Sequence, residues 1–255
     1  MNDINLYEKF LSASEAIRSN YQYGSKRAFF LGNEQLSALK YATDQFVPYS
    51  TLPGLEDLKT VSGGFYLGEL APNALIVTEP IFENGHQNDL RLKVLGIRLL
   101  QLLNIEELII IGKGEPLKNK TSEEHIFWAE DHINLSGNSP LVGENIDKFG
   151  ERFPDMTGVY DSELTSEGIK VTENLGLKIK KGVWATSWEE NYVPKSLIET
   201  LFNNNVTVIS NHGMQEVIAA AHGNIKTALT LILNQGDKHD QMLYKILKSL
   251  SNGSN

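Results

Sequence analysis

The sequence contains no cysteine, which excludes disulfide bonds, thiolate metal sites and a cysteine nucleophile. Basic residues are also few: 23 Lys and Arg face 32 Asp and Glu, and the net charge of −9 disfavours nucleic acid binding through a broad basic surface. No apolar run approaches the roughly 20 residues that a membrane-spanning helix needs, and residues 1–10 lack the basic-then-apolar pattern of a signal peptide. We therefore expect a cytoplasmic protein that binds neither nucleic acid nor a membrane.

The composition and the order of the elements predict one α/β domain over residues 1–255. The chain has 255 residues, of which 41% are hydrophobic and 22% are charged, as in an ordinary globular protein. Strand-like and helix-like segments alternate along most of its length, which favours a central mixed, mostly parallel sheet flanked by helices. Only residues 250–255 are predicted to form a flexible tail.

Two kinds of pattern place the elements along the chain. Apolar residues at helical spacing predict helices, and short apolar runs bounded by Gly, Pro or Asn predict buried strands. The predicted helices cover 4–21, 88–105, 163–174, 189–203, 214–222 and 239–250, and the clearest strands cover 27–32, 73–82, 106–114, 125–133, 176–187, 206–213 and 226–234. The segment 135–160 has no period and many turn formers, so we expect a functional or subunit-contacting loop there.

Ligands of such sheets bind at the carboxyl ends of the strands. The predicted ends are Gly32, 81–83, 112–114, 131–133, 187–189, 210–212 and Asn234.

Histidine and carboxylate residues offer little support for a metal site. Glu83 and His86 stand three residues apart at a strand end, where they can form an acid–base pair or simply a solvated turn. No second histidine cluster accompanies them, and His212 and His222 do not have the spacing of a zinc-binding helix. We therefore predict no metal.

The stretch "ATSWEE" begins a helix and also offers binding groups. Ser187 and Glu190 have the spacing of a capping box. Trp188 and Glu189 suit a flat heterocycle, because the ring can stack on it and the carboxylate can accept its N–H groups. Asn234 is either a turn former or a partner for a heteroaromatic edge.

The residues "DHINLSGNSPL" (131–141) and "FGERFPDMTGVYD" (149–161) closely resemble the trimeric purine nucleoside phosphorylases, which show D-H-I-N-L…N-P-L followed by R-F-G-x-R-F-P-x-M…Y-D. Weaker similarity runs almost end to end. The resemblance implies the nucleoside phosphorylase α/β fold and a homotrimer. It also implies phosphorolysis of purine nucleosides to base and ribose 1-phosphate, with no cofactor and with phosphate as co-substrate.

The resemblance also implies roles for single residues. Glu189 and Asn234 fall on the family's purine-binding positions, and Trp188 falls on its stacking aromatic. His239 falls near the ribose 5′-hydroxyl, and Trp184 corresponds to a ribose-contacting aromatic if two residues are missing here. The Gly-Pro and Thr of the family's purine motif are absent.

The phosphate-binding positions of the family are degenerate in this sequence. Its Ser-Gly-Leu-Gly loop falls on "GNEQL", which includes Asn33; other positions carry Ile81 for the phosphate arginine, Glu83 for the histidine, Gly85 for the ribose tyrosine and Gly112 for an asparagine. Lys113 and His86 are the groups that can supply positive charge or hydrogen bonds nearby. A carboxylate at 83 repels phosphate, and Ile is no substitute for a bidentate arginine.

Three interpretations therefore stay open. The protein is a phosphorylase with an altered phosphate site, or a non-catalytic homologue that binds a purine-like ligand or acts in assembly, or a nucleoside hydrolase in which Glu83 acts as the base.

Overall fold

A computed structural model describes residues 3–20, 26–41, 45–58, 60–67, 74–82, 89–117, 125–186, 193–233 and 239–252. The α-helices in these ranges are α1 (Asp3–Asn20), α2 (Leu90–Lys93), α3 (Leu95–Leu102), α4 (Ser162–Asn174), α5 (Lys195–Asn203), α6 (Met214–His222) and α7 (His239–Ser251). The strands are β1 (Arg27–Leu31), β2 (Gln45–Pro48), β3 (Thr60–Ser62), β4 (Gly64–Leu67), β5 (Ala74–Thr78), β6 (Ile81–Phe82), β7 (Glu107–Lys113), β8 (Glu115–Pro116), β9 (Ile126–Asn134), β10 (Ile179–Thr186), β11 (Val206–Ser210) and β12 (Lys226–Ile232).

Ten of these strands form one mixed sheet in the order β2-β4-β5-β1-β7-β12-β9-β10-β11-β8. Five neighbouring pairs are parallel, namely β1 with β5 and β7, β7 with β12, and β10 with β9 and β11. The other four pairs are antiparallel. The predicted fold class, a mostly parallel mixed sheet flanked by helices, is confirmed.

The second half of the sheet curls back on itself. β7 continues through Gly114 into β8, and β8 pairs antiparallel with β11 at the far end of the strand order. The hydroxyl of Ser210, at the end of β11, donates a hydrogen bond to the Lys113 carbonyl at 2.6 Å. This closure brings the segment after β11 against the carboxyl end of β7.

The central strands are buried on both faces, and their alternation creates two cores. In β1, Ala28 and Phe30 pack in one cluster while Phe29 and Leu31 pack in the other. The run 108–111 of β7 alternates in the same way. Successive side chains of a strand point to opposite faces, so a continuous apolar run requires a cover on each side. Here α3 and α6 contribute to the first cluster, and α4 and α7 to the second.

Three boundaries differ from the prediction. The helix expected over 88–105 is divided at Val94 into α2 and α3, and the side chain of Asp89 caps α2 by accepting a hydrogen bond from the Arg91 N–H. Helix α5 begins only after Pro194. Proline is tolerated at the start of a helix, but in a helix interior it lacks the N–H that would bond to the preceding turn. Residues 250 and 251, expected in a flexible tail, belong to α7, and Leu250 is fully buried.

The loop predicted over 135–160 is confirmed as irregular apart from a short 3-10 turn at Asp147–Phe149. Among the described helices, none combines the length and the apolar character that crossing a membrane requires.

Candidate functional site

A cavity of about 60 Å³ lies at the carboxyl ends of β1, β5 and β7. Its wall includes Gly32, Glu79, Lys93, His212, Gln215 and Glu216, and we call it the Glu79 pocket. A water molecule takes up about 30 Å³ in the liquid, so the described part of this cavity has room for roughly two.

Backbone pairing at the strand ends positions the pocket. The Glu79 N–H donates to the Leu31 carbonyl at 3.0 Å, and the Gly32 N–H donates to the Ile111 carbonyl at 3.2 Å. These bonds extend the parallel ladders just past the strands and hold Glu79 beside Gly32. Ligand sites of open α/β sheets occur at this edge.

Two glycines make room for His212 at the edge. A Cβ on Gly112 would lie 3.1 Å from the His212 Cβ, so a larger residue there would press on the imidazole. Gly213 has φ = 93°, a conformation that side chains disfavour, and a Cβ there would meet Leu229 at 2.5 Å. The chain can therefore turn from β11 into α6 with His212 facing the pocket.

The structure brings together three positions that the sequence assigned to a degenerate phosphate site. The Asn33 amide donates to the Glu79 carboxylate at 3.2 Å. Gly112 contacts His212 as described, and the Lys113 ammonium lies 3.4 Å from the carboxylate of Glu34. The fourth described position, Ile81, is 41% exposed on β6 and does not line the pocket.

Glu216 is the most buried acid of the pocket, with 6% of its surface exposed. Burial and the charge of Glu79 raise its pKa to about 8, and Lys93 offsets part of that effect. Glu216 therefore holds a proton at neutral pH. The pocket thus combines a neutral carboxyl group, Glu79 and the His212 imidazole, whose Nδ1 lies 3.9 Å from Glu79 Oε2.

Several amide groups around the pocket have no hydrogen-bond partner within the described ranges. Gln35 is fully buried, and neither of its amide atoms is bonded there. The side-chain oxygens of Asn33 and Gln215 are in the same situation. Buried polar groups are normally satisfied by protein or water, so these atoms indicate a ligand or ordered water.

Sequence reasoning missed Glu79 and Glu216 and considered His212 only as a metal ligand. Glu79 stands between the end of β5 and Pro80, where a turn acid is common. The only clue to Glu79 in the sequence was the predicted end of β1, the strand that pairs with β5. No group of three or more His, Cys, Asp or Glu side chains in the described ranges can hold a metal ion.

Trp184, predicted to contact ribose, lies in the core with no exposed surface. Its indole N–H donates to the Tyr160 hydroxyl at 2.8 Å, and that oxygen lies 3.0 Å from His132 Nδ1. Burial lowers the pKa of His132 and so favours its neutral ring. A neutral ring has one nitrogen that can accept a hydrogen bond from the Tyr160 hydroxyl. These contacts connect Trp184 with Tyr160, at the end of the 135–160 loop, and with His132, shortly before the loop begins.

Most of the other predicted site residues lie outside the described ranges, namely Glu83, His86, Trp188, Glu189 and Asn234. The side chain of His239, at the start of α7, is not described either. The described strands lead to two of these segments, since β10 ends at Thr186 and β12 pairs with β7 up to Ile232 and Lys113.

A family model described as the phosphorylase superfamily matches residues 26–245. The chain belongs to the phosphorylase superfamily. Among its relatives in this family, purine nucleoside phosphorylase 1 of Bacillus subtilis is 26% identical over 91% of this chain and 89% of that protein. The purine nucleoside phosphorylase of Bos taurus is 25% identical over 79% of this chain and 70% of that protein.

Solved structures of the family share the fold. The Schistosoma mansoni purine nucleoside phosphorylase in complex with a monocyclic inhibitor superposes with a TM-score of 0.81, covers 97% of both chains and is 20% identical. A purine nucleoside phosphorylase in complex with ribose-1-phosphate gives a TM-score of 0.79 at 19% identity, again over 97% of both chains. The predicted resemblance to the purine nucleoside phosphorylase family is confirmed.

Proposed function

We propose that this protein binds a purine nucleoside and cleaves the N-glycosidic bond between the base and the ribose. The observation that carries the proposal is the superfamily match over residues 26–245, together with relatives named purine nucleoside phosphorylase along most of the chain. In this reaction the sugar becomes oxocarbenium-like and the base leaves with negative charge. A catalytic site must therefore hold the sugar, supply an acceptor and stabilise the leaving purine.

The purine side of the proposed site consists of Trp188, Glu189 and Asn234, with His239 toward the ribose. Their support is the sequence resemblance and the position of the preceding strands, since these residues directly follow the described parts of β10 and β12 or begin α7. Glu189→Ala is expected to weaken the binding of hypoxanthine or guanine, measured by titration calorimetry. Unchanged affinity would contradict the placement of Glu189 at the base.

Phosphate is the first candidate for the acceptor. Phosphorolysis to free base and ribose 1-phosphate is supported by the names of the relatives and by the fold shared with a purine nucleoside phosphorylase bound to ribose-1-phosphate. Lys93 lines the Glu79 pocket, and Lys113 lies 3.4 Å from the carboxylate of Glu34. We also propose that the protein forms a homotrimer and is located in the cytoplasm.

Water is the second candidate, and the carboxylate of Glu79 favours it. Glu79 lines the pocket together with Lys93, and Glu34 is paired with Lys113, so the described wall has no uncompensated excess of lysine charge. A phosphate dianion placed 4 Å from one carboxylate is repelled by about 4 kcal/mol per unit charge at an effective dielectric constant near 20.

The experiment that tests the proposal is the release of hypoxanthine from inosine, and of guanine from guanosine, with and without phosphate. Release in either condition supports glycosidic cleavage, and its dependence on phosphate distinguishes the two acceptors. If neither nucleoside is cleaved in either condition, the proposal is wrong and the protein is a non-catalytic homologue.

A further inference from the structure

The Glu79 pocket occupies the place that the resemblance assigns to phosphate, but its groups do not suit an anion. Lys93 lines the pocket, but so does Glu79, and Lys113, at the end of β7, is paired with Glu34 at 3.4 Å. No arginine lines the described part of the pocket. Phosphate sites in proteins commonly use arginine because its planar fork binds two oxygens at once.

The unsatisfied atoms around the pocket, three amide oxygens and the amide nitrogen of Gln35, suit a ligand that both donates and accepts hydrogen bonds. The amide oxygen of the fully buried Gln35 lies 2.8 Å from the point where a Gly32 Cβ would be, and His212 Nδ1 lies 3.5 Å from the same point. Both groups therefore face the space that the absent side chain of Gly32 leaves open. The Gln215 oxygen is also buried without a partner in the described ranges. A phosphate dianion brings one O–H donor to these oxygens, whereas each water molecule brings two.

We infer that the Glu79 pocket holds a water molecule that serves as the ribosyl acceptor, with Glu79 as its general base. This inference rests on the proposed cleavage of nucleosides. As the bond between C1′ and the base nitrogen breaks, its electron pair stays with the base. The water oxygen forms a bond to C1′, and one water proton passes to Glu79. The base takes up a proton from solvent and Glu79 returns its proton to solvent, so the products are free purine and ribose.

The neighbouring groups support this role for Glu79. The Asn33 amide donates to Glu79 Oε2, and His212 Nδ1 lies on the same side of that carboxylate. These contacts fix the carboxylate and leave His212 able to orient the water. Glu216 holds a proton at neutral pH, so it is not the group that takes the proton from water. The cavity of about 60 Å³ is large enough for the water.

The test compares wild type with Glu79→Gln, which keeps the shape of the side chain and removes its basicity, in phosphate-free buffer with inosine. A general base contributes roughly 10²–10⁴-fold to a rate, so we expect a loss of that size in kcat. Glu199→Gln, on the exposed side of α5, is the matched control and should retain wild-type rates. If Glu79→Gln does not fold, His212→Asn replaces it and should lower kcat roughly tenfold through poorer orientation of the water.

The outcomes separate this inference from the function on which it rests. Release by wild type that requires phosphate, or an undiminished rate in the folded Glu79→Gln variant, would overturn the inference and leave nucleoside cleavage intact. No release by wild type under any condition would instead overturn the proposed function, before any variant is compared.

Discussion

Replacement of Glu216 by Gln is expected to stabilise the protein at neutral pH and to leave its stability near pH 4 unchanged. Burial and the charge of Glu79 raise the Glu216 pKa from 4.5 to about 8. Between these values the unfolded chain releases the proton and the folded protein keeps it, so the free energy of unfolding falls as the pH rises. At about 1.4 kcal/mol per pH unit, the loss reaches about 3 kcal/mol at pH 7 and about 4 kcal/mol at pH 8, where the folded protein also begins to release the proton. Glutamine has the same shape and no charge, so the variant avoids this loss.

The assay is urea unfolding at pH 5, 6, 7 and 8, with Glu199→Gln as an exposed control. The wild-type free energy of unfolding should decrease with pH more steeply than that of Glu216→Gln. The difference in slope should reach that of one titrating proton, about 1.4 kcal/mol per pH unit. The variant Glu79→Gln should reduce the steepness in part, because it removes the charge that opposes ionisation of Glu216. Parallel curves for wild type and Glu216→Gln would refute the reasoning about this buried acid.

Three further predictions concern the 135–160 loop and the core. Tyr160→Phe should lower the free energy of unfolding by about 1–3 kcal/mol in urea unfolding, because the buried indole N–H of Trp184 loses its acceptor; no change would mean that water replaces the hydroxyl. Gly168→Ala should also destabilise, by about 1–3 kcal/mol, because the new Cβ would overlap the Trp128 ring, and a gain in thermal stability would show that this ring can move. Phe153 is 82% exposed on the loop, so Phe153→Asp should shift the sedimentation of the proposed homotrimer toward monomer, and unchanged sedimentation would exclude Phe153 from a subunit interface.

The fold follows from local patterns to a large extent. The continuous apolar runs of β1 and β7 are direct consequences of strands covered on both faces, and the sequence marks both of them. Asp89 marks the start of α2 because its short carboxylate accepts from the Arg91 N–H. The break at Val94 has no comparable signal, since the apolar spacing continues through it. Helix ends set by tertiary packing are not visible in a single sequence.

The candidate site was harder to predict because its walls are distant in the chain. Glu79, His212 and Glu216 meet only because β8 pairs with β11 and so returns the end of β11 to Lys113. That pairing joins two segments about a hundred residues apart, and β8 has only two residues, so no period reveals it. The resemblance directed attention to Asn33, whose amide donates to Glu79, whereas it gave no role to the acids that line the pocket.

The identity of the sugar product is the most direct test of the central claim that water is the ribosyl acceptor in the Glu79 pocket. The purified protein is incubated with inosine in excess phosphate, and proton and phosphorus NMR follow the products. The proposed role of Glu79 predicts free ribose and hypoxanthine, with no new phosphate ester. Accumulation of ribose 1-phosphate in step with hypoxanthine would contradict it, and would mean that this pocket accommodates phosphate despite its carboxylates.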